Sequence, residues 1–385
     1  MAQHNLENID TDKYPHINKG LDGIIAFSTT KSSIDGQSGE LIYSGYNIDT
    51  LADNATFEEV CFLLWNDRLP NKKELDELNN KLRSQRELPE PVLNYIKTTN
   101  KEAEPMAVLR TATSMLADYE SKSKEDSQEH AISLTAQMPT IIAAFDRARQ
   151  GKEIIAPLKG ESTAFNFLYM LNGEKPGSAA ERTMDLCLVL HAEHGMNAST
   201  FTCRTICATE SDMFSAVTGA IGALKGPLHG GANTAVMNTL LNLKAQGDDA
   251  DPVAFTKNKL AKKEKMMGFG HRVYKTFDPR AFHLRKMSKE LSEETGHEYL
   301  YEWSEAMVKT MKDEKNIDPN VDFFSATVYY SIGIQPDLFT CIFTMSRVTG
   351  WSAHYLEQAA NNRLVRPRAL YIGEKNLNWT PVEDR

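Results

Sequence analysis

The chain is 385 residues long, 41% hydrophobic, 25% charged and 9% aromatic, which suits a large core spread over two domains and excludes a disordered polypeptide. Its formal net charge of −9 argues against nucleic acid as a partner, and it has no run of about 18 apolar residues to span a bilayer. The opening residues, MAQHNLENIDTDKYPHINKG, are polar and acidic, without the basic-then-apolar pattern of an export signal, so a cytoplasmic location is expected.

Residues 23–50 read as short strands and turns: Ile24 to Thr30, a turn at Asp35-Gly36, then Leu41 to Tyr43. Two capping-box patterns follow, Thr56-Phe57-Glu58-Glu59 and Asn71-Lys72-Lys73-Glu74, and Leu75, Leu78 and Leu82 keep one face of the second helix apolar. Helical periodicity then marks 104–119, 127–149, 179–208, 210–224, 231–245, 251–266, 279–295, 299–314, 322–332 and 336–361. Strand signals are nearly absent after residue 50, so the expected fold class is all-α with a small N-terminal β-hairpin. Cys61, Cys187, Cys203, Cys207 and Cys341 lie in apolar surroundings and read as reduced core residues, Cys203 and Cys207 at i,i+4 included.

Glycine is concentrated where histidine is. His191 and His194, in His191-Ala192-Glu193-His194-Gly195-Met196-Asn197, stand at i,i+3 and could share a metal, but no third ligand follows at a convincing spacing, and none is expected. In Gly226-Pro227-Leu228-His229-Gly230-Gly231 the histidine precedes a helix, whose dipole lowers its pKa. It is either a residue packed beside a tight turn or a neutral donor to a carbonyl becoming an enolate.

Between Lys257 and Lys286 the chain carries ten Lys/Arg against two acids, and this run contains Gly268-Phe269-Gly270-His271. Such a run is a solvated helix face or an anion site, with backbone N–H groups and cations wrapped round a phosphate-bearing ligand. The glycine spacing fits neither a Walker A loop nor a dinucleotide fingerprint. Asp322, in Asn320-Val321-Asp322-Phe323-Phe324, is either part of a helix start or a base of raised pKa among aromatics. Arg347, Arg363, Arg366 and Arg368 offer guanidinium groups suited to carboxylates.

In series these stretches resemble the citrate synthase family over nearly the whole chain. The matching motifs are HAEHGMNAST, GPLHGGAN, GFGHRVYKTFDPR, NVDFFSA, the arginine of SRVTGW and the first arginine of RPR. The length is similar to that of the shorter, dimeric bacterial and archaeal members. The resemblance implies a two-domain helical homodimer, with a large domain of residues 1–225 and 326–385 and a small domain of residues 226–325 that closes over substrate.

It also implies condensation of acetyl-coenzyme A with oxaloacetate and hydrolysis of the thioester, without a permanently bound cofactor. By resemblance, Asp322 is the base, His229 stabilises the enol, and His271 polarises the ketone. His194, Arg280, Arg347 and, from the other subunit, Arg366 hold oxaloacetate. Coenzyme A would meet Lys262, Lys265, Gly268, Phe269, Gly270, Arg272 and Lys275. Competing readings are a 2-methylcitrate synthase using propionyl-coenzyme A, an acyltransferase with Cys203 as nucleophile, and an inactive scaffold.

Overall fold

The computed structural model describes residues 18–385, apart from 121–122, 124–126 and 248. Most of the N-terminal stretch that carries the expectation about export lies outside the described residues.

After a single 3-10 turn at Lys19–Leu21 comes a three-stranded antiparallel sheet: β1 (Ser32–Asp35), β2 (Glu40–Tyr43) and β3 (Tyr46–Asn47), in the order β1-β2-β3 with Ser32 opposite Tyr43. The expected strand from Ile24 to Thr30 does not form. That segment is unpaired, Ile25 is 93% exposed, and the Thr30 N–H is satisfied by the Glu357 carboxylate rather than by a ladder.

Helices account for the rest. The series begins α1 (Ile48–Asn54), α2 (Phe57–Asn66), α3 (Lys72–Ser84), α4 (Glu90–Thr98), α5 (Pro105–Leu116) and α6 (Ser127–Arg149). It continues α7 (Thr163–Asn172), α8 (Ser178–His191), α9 (Ala198–Cys207), α10 (Met213–Leu224), α11 (Ala232–Lys244) and α12 (Pro252–Ala261). Last come α13 (Pro279–Thr295), α14 (Glu298–Lys315), α15 (Val321–Ser331) and α16 (Phe339–Ala360). The fold class is all-α. Both capping boxes form, Thr56 with Glu59 and Asn71 with Glu74, each satisfying two N–H groups at a helix start.

Two expected helices are cut short. The single helix over 179–208 is really α8 and α9, separated at residues 192–197. There Gly195 takes a left-handed φ of +61°, and the Asn197 side chain caps α9 by accepting the Thr200 N–H. The helix over 251–266 ends at Ala261, and Lys263 is left-handed at +58°. Both breaks fall in motifs singled out for their chemistry.

α16 is the central post, packed against α6, α8, α9 and α10. It is buried along most of its length, and Trp351 has no exposed surface. On one side of it α11 and α13 pack on α15. These helices enclose the cavity described next.

Candidate active site

A cavity of about 960 Å³ opens between α9, α11, α13, α15 and α16. His194, His229, His271, Arg280, Asp322 and Arg347 all line it, though they come from five separate stretches of chain.

His194 sits in the break between α8 and α9, and its Nε2 is 3.2 Å from the Tyr274 hydroxyl. His271 meets it edge to face at 5.2 Å between ring centroids, and Tyr274 lies 4.7 Å from His271. The Val273 and Tyr274 N–H groups donate to His271 Nδ1 at 3.0 and 3.1 Å. An acceptor at Nδ1 puts the neutral ring's proton on Nε2, which is thereby a donor. Burial, then the Arg280 charge, lowers the His271 pKa to about 4. His194 is also held well below its ordinary value, by burial and then by Arg280 and Arg347.

His229 follows the same logic. The Ser199 N–H donates to its Nε2 at 3.3 Å, and the Ser199 hydroxyl is 2.8 Å from that nitrogen. An acceptor at Nε2 places the neutral ring's proton on Nδ1. Burial lowers the His229 pKa to about 4, with Arg347 as the second cause. Two residues, Gly230 and Gly231, separate His229 from the start of α11. All three rings are neutral donors or acceptors near neutral pH.

The two arginines are buried, 2% exposed for Arg280 and 1% for Arg347. Asp278 caps α13 and binds Arg280 through Nε at 2.9 Å and Nη2 at 2.8 Å, while also accepting the Val321 N–H at 3.1 Å. That leaves Arg280 Nη1 for a ligand. Arg347 donates through Nε to the His191 carbonyl at 2.7 Å, and its guanidinium stacks 4.6 Å above Phe343. Its Nη2 is buried without a hydrogen-bond partner. An orphaned buried donor of this kind is costly unless an anionic ligand meets it.

Asp322 lies in the first turn of α15, its N–H accepted by Asn320 Oδ1 at 3.0 Å. Burial wins over the neighbouring Arg280 and Arg347 charges and raises its pKa to about 6. Its place is fixed by a suture between two turns. Asn320 donates from N to the Gly268 carbonyl at 2.9 Å and from Nδ2 to the Gly270 carbonyl at 2.8 Å, and Gly270 N–H returns to the Asp318 carbonyl at 3.0 Å. Gly268, with φ +80°, lies against Val236 and Phe323 where a Cβ would clash. The glycine turn therefore carries His271 and holds Asp322 at once.

The basic stretch divides. Lys262, Lys265, Arg272 and Lys275 are exposed, and Arg272 reaches the cavity rim, whereas Gly268 and Phe269 are buried, Phe269 packing 4.5 Å from Phe323. Arg366 lies outside the cavity. It is exposed, lining an adjoining groove of about 670 Å³ that shares Leu21, Ile24, Phe27 and Phe201 with it.

The metal reading of His191 and His194 fails on geometry, because α8 ends at His191. That ring turns inward, its Nδ1 donating to the Cys187 carbonyl and the ring meeting Phe343 in a T-shaped contact. No cluster of three metal-ligating side chains occurs among the described residues. All five cysteines are free and buried, and burial raises the Cys203 thiol far above its ordinary pKa. A protonated thiol facing the Trp351 carbonyl is not an activated nucleophile. No helix among the described residues is long and apolar enough to cross a membrane.

Sequence reasoning passed over Ser199, Tyr274, Asn320 and Glu193, and it quoted Asp278 without giving it a role. The Asp278-Pro279 pair was a readable helix start. Nothing local in the sequence announces Glu193, a fully buried carboxylate that binds Ser32, Gly195 N–H and His354.

Residues 20–368 match the family model described as citrate synthase, C-terminal domain. The chain is 48% identical to citrate synthase 2 of Bacillus subtilis, over 95% of this chain and 99% of that one. It is 42% identical to 2-methylcitrate synthase 2 of Corynebacterium glutamicum, over 96% and 98%. Among solved structures it matches the ternary complex of the Thermoplasma acidophilum citrate synthase with carboxymethyl coenzyme A and oxaloacetate. The TM-score there is 0.89, with 33% identity over 96% of this chain and 99% of that one. A shared fold, coverage of nearly the full length and a single assembled cavity lead to one conclusion: the chain belongs to the citrate synthase family and is an acyltransferase of the citrate (Si)-synthase type.

Proposed function

We propose that this enzyme condenses acetyl-coenzyme A with oxaloacetate to give citrate and coenzyme A, and that it works in the cytosol as a homodimer. The observation that carries the reading is the single cavity in which a base of raised pKa faces neutral histidine donors and two buried arginines.

Oxaloacetate binds first in this scheme, its carboxylates taken by Arg347 Nη2, Arg280 Nη1 and Arg366 from the second subunit, with His194 beside them. His271 Nε2–H donates to the ketone oxygen and makes its carbon electrophilic. Asp322 then removes a proton from the acetyl methyl group, while His229 Nδ1–H donates to the thioester oxygen. A thioester α-proton is weakly acidic, so the base succeeds only if the enolate is stabilised as it forms. One preorganised donor of this kind contributes about 3–4 kcal/mol. A protonated histidine would be the stronger acid, but burial, with the Arg347 charge behind it, keeps His229 neutral. The enol attacks the ketone carbon to give citryl-coenzyme A, and water cleaves the thioester.

Residues 226–325 act as the small domain, moving against 1–225 and 326–385 to close the cavity and exclude water until the carbon–carbon bond has formed. Coenzyme A approaches over the basic stretch, its phosphates meeting exposed cations among Lys262, Lys265, Arg272 and Lys275, and its base resting on the Gly268–Gly270 turn.

The second reading, 2-methylcitrate synthase, has support from the 42% identical relative of that name. It shares every catalytic group, and one methyl group in an apolar pocket is worth only about 1–3 kcal/mol. Thiol release from acetyl- and propionyl-coenzyme A, each with and without oxaloacetate, separates the two. Oxaloacetate-dependent release with a higher kcat/KM for acetyl supports the proposal. A preference for propionyl moves the enzyme to 2-methylcitrate with its mechanism intact, and release from neither overturns both.

A further inference from the structure

The N-terminal sheet carries none of the motifs, yet it touches both segments that bring histidines to the ketone site. On the His194 side, the Ser32 hydroxyl accepts the Gly195 N–H at 3.1 Å and donates to Glu193 at 2.9 Å. The Tyr43 hydroxyl donates to the Glu193 carbonyl at 2.7 Å, and Ile34 lies directly beneath Gly195. On the His271 side, the Gly36 carbonyl accepts the Lys275 N–H at 2.8 Å. A Cβ at Gly36 would run into the Val273 carbonyl, and one at Gly39 would sit 3.0 Å from the Phe277 carbonyl.

The sheet is itself stiff where it makes these contacts. Asp35 closes the turn between β1 and β2, accepting the Gln37 N–H on its carboxylate at 2.8 Å and the Gly39 N–H on its carbonyl at 2.9 Å. Ser32, Ile34 and Gly36 alternate along β1 and into its turn, so neighbouring positions on one short strand hold two segments far apart in sequence. The Val273 and Tyr274 N–H groups that fix the His271 ring lie immediately before the residue that Gly36 anchors.

We propose that this sheet is a positioning element for catalysis: Ser32 and Gly36 hold His194 and His271 in register, 5.2 Å apart, so that both meet oxaloacetate together. The proposal rests on the reading that these histidines contact oxaloacetate.

Gly36→Ala in the full chain tests it, with Gly160→Ala as control, since Gly160 is exposed with open space around it. Gly36→Ala should raise the oxaloacetate KM about tenfold or more and lower kcat as well, with a lower melting temperature and faster hydrogen exchange at the Lys275 amide. Ser32→Ala should move KM in the same direction, and it decides the matter if Gly36→Ala does not fold. Wild-type KM in both variants overturns the proposal. Proton–proton contacts between the His194 and His271 rings give a readout independent of turnover: they should be present in the parent protein and lost in Gly36→Ala. A parent enzyme without oxaloacetate-dependent thiol release would sink the functional reading, while retained ring contacts in Gly36→Ala would sink this one.

Discussion

The wall of the cavity and the strip that follows α16 both present arginine, and they do so in opposite ways. Arg280 and Arg347 are buried in the wall, each with part of its guanidinium committed to the protein and part left over. Their position is set before any ligand arrives. The strip from Asn361 onward is extended and largely exposed, and Arg363, Arg366 and Arg368 stand at its surface. A buried arginine must be built into a fold that neutralises it, whereas an exposed one is placed only when something else covers it. The wall is preorganised by its own chain; the strip waits for a second subunit in the proposed dimer.

The largest effect is expected from the wall. Asp278→Ala strips the partner from a buried Arg280 and frees the Val321 N–H, and losing one member of a buried ion pair costs about 3–5 kcal/mol. Thermal unfolding should show it, together with a higher oxaloacetate KM. An unchanged melting temperature would mean that the wall is not organised by this pair.

The strip should respond differently. Arg366→Ala should leave the melting temperature alone and raise the oxaloacetate KM about tenfold. Mixed dimers of Arg366→Ala with Asp322→Asn subunits should regain activity, because one composite site then holds both intact residues. No recovery in such mixtures would break the comparison at its centre.

The smallest effect sharpens the wall alone. Asp322 must be ionised to act, and its pKa is raised to about 6, so kcat/KM for acetyl-coenzyme A should fall as the pH drops through that value. His229 and His271, lowered to about 4, stay neutral across this range and add no limb of their own there. A fall centred near pH 4 would mean that burial does not raise the Asp322 carboxyl above the ordinary aspartate range.

Most of the helices were legible because their periodicity and caps are local. Thr56 with Glu59 and Asn71 with Glu74 announce α2 and α3 in four residues each. α1 and α4 escaped because seven to nine residues give too few turns for a pattern to stand out. α7 escaped although Ser162 caps it and Gly173 ends it in a left-handed turn. The break between α8 and α9 was hidden for a physical reason: helical spacing runs on through residues 192–197, and the interruption comes from Ser32, Tyr43 and His354 gripping Glu193 from elsewhere in the chain. The six cavity residues were legible through the family resemblance. Their tautomers and charge states were not, since those depend on Ser199, Val273 and two arginines that only the fold brings near.

The most direct test of the account is Asp322→Asn, assayed in parallel for oxaloacetate binding and for oxaloacetate-dependent thiol release from acetyl-coenzyme A. A positioned base contributes about a hundredfold or more, so turnover should fall by at least that factor while the oxaloacetate dissociation constant stays within about twofold. Near-normal turnover in a folded variant that still binds oxaloacetate would remove Asp322 from the chemistry and contradict the mechanism.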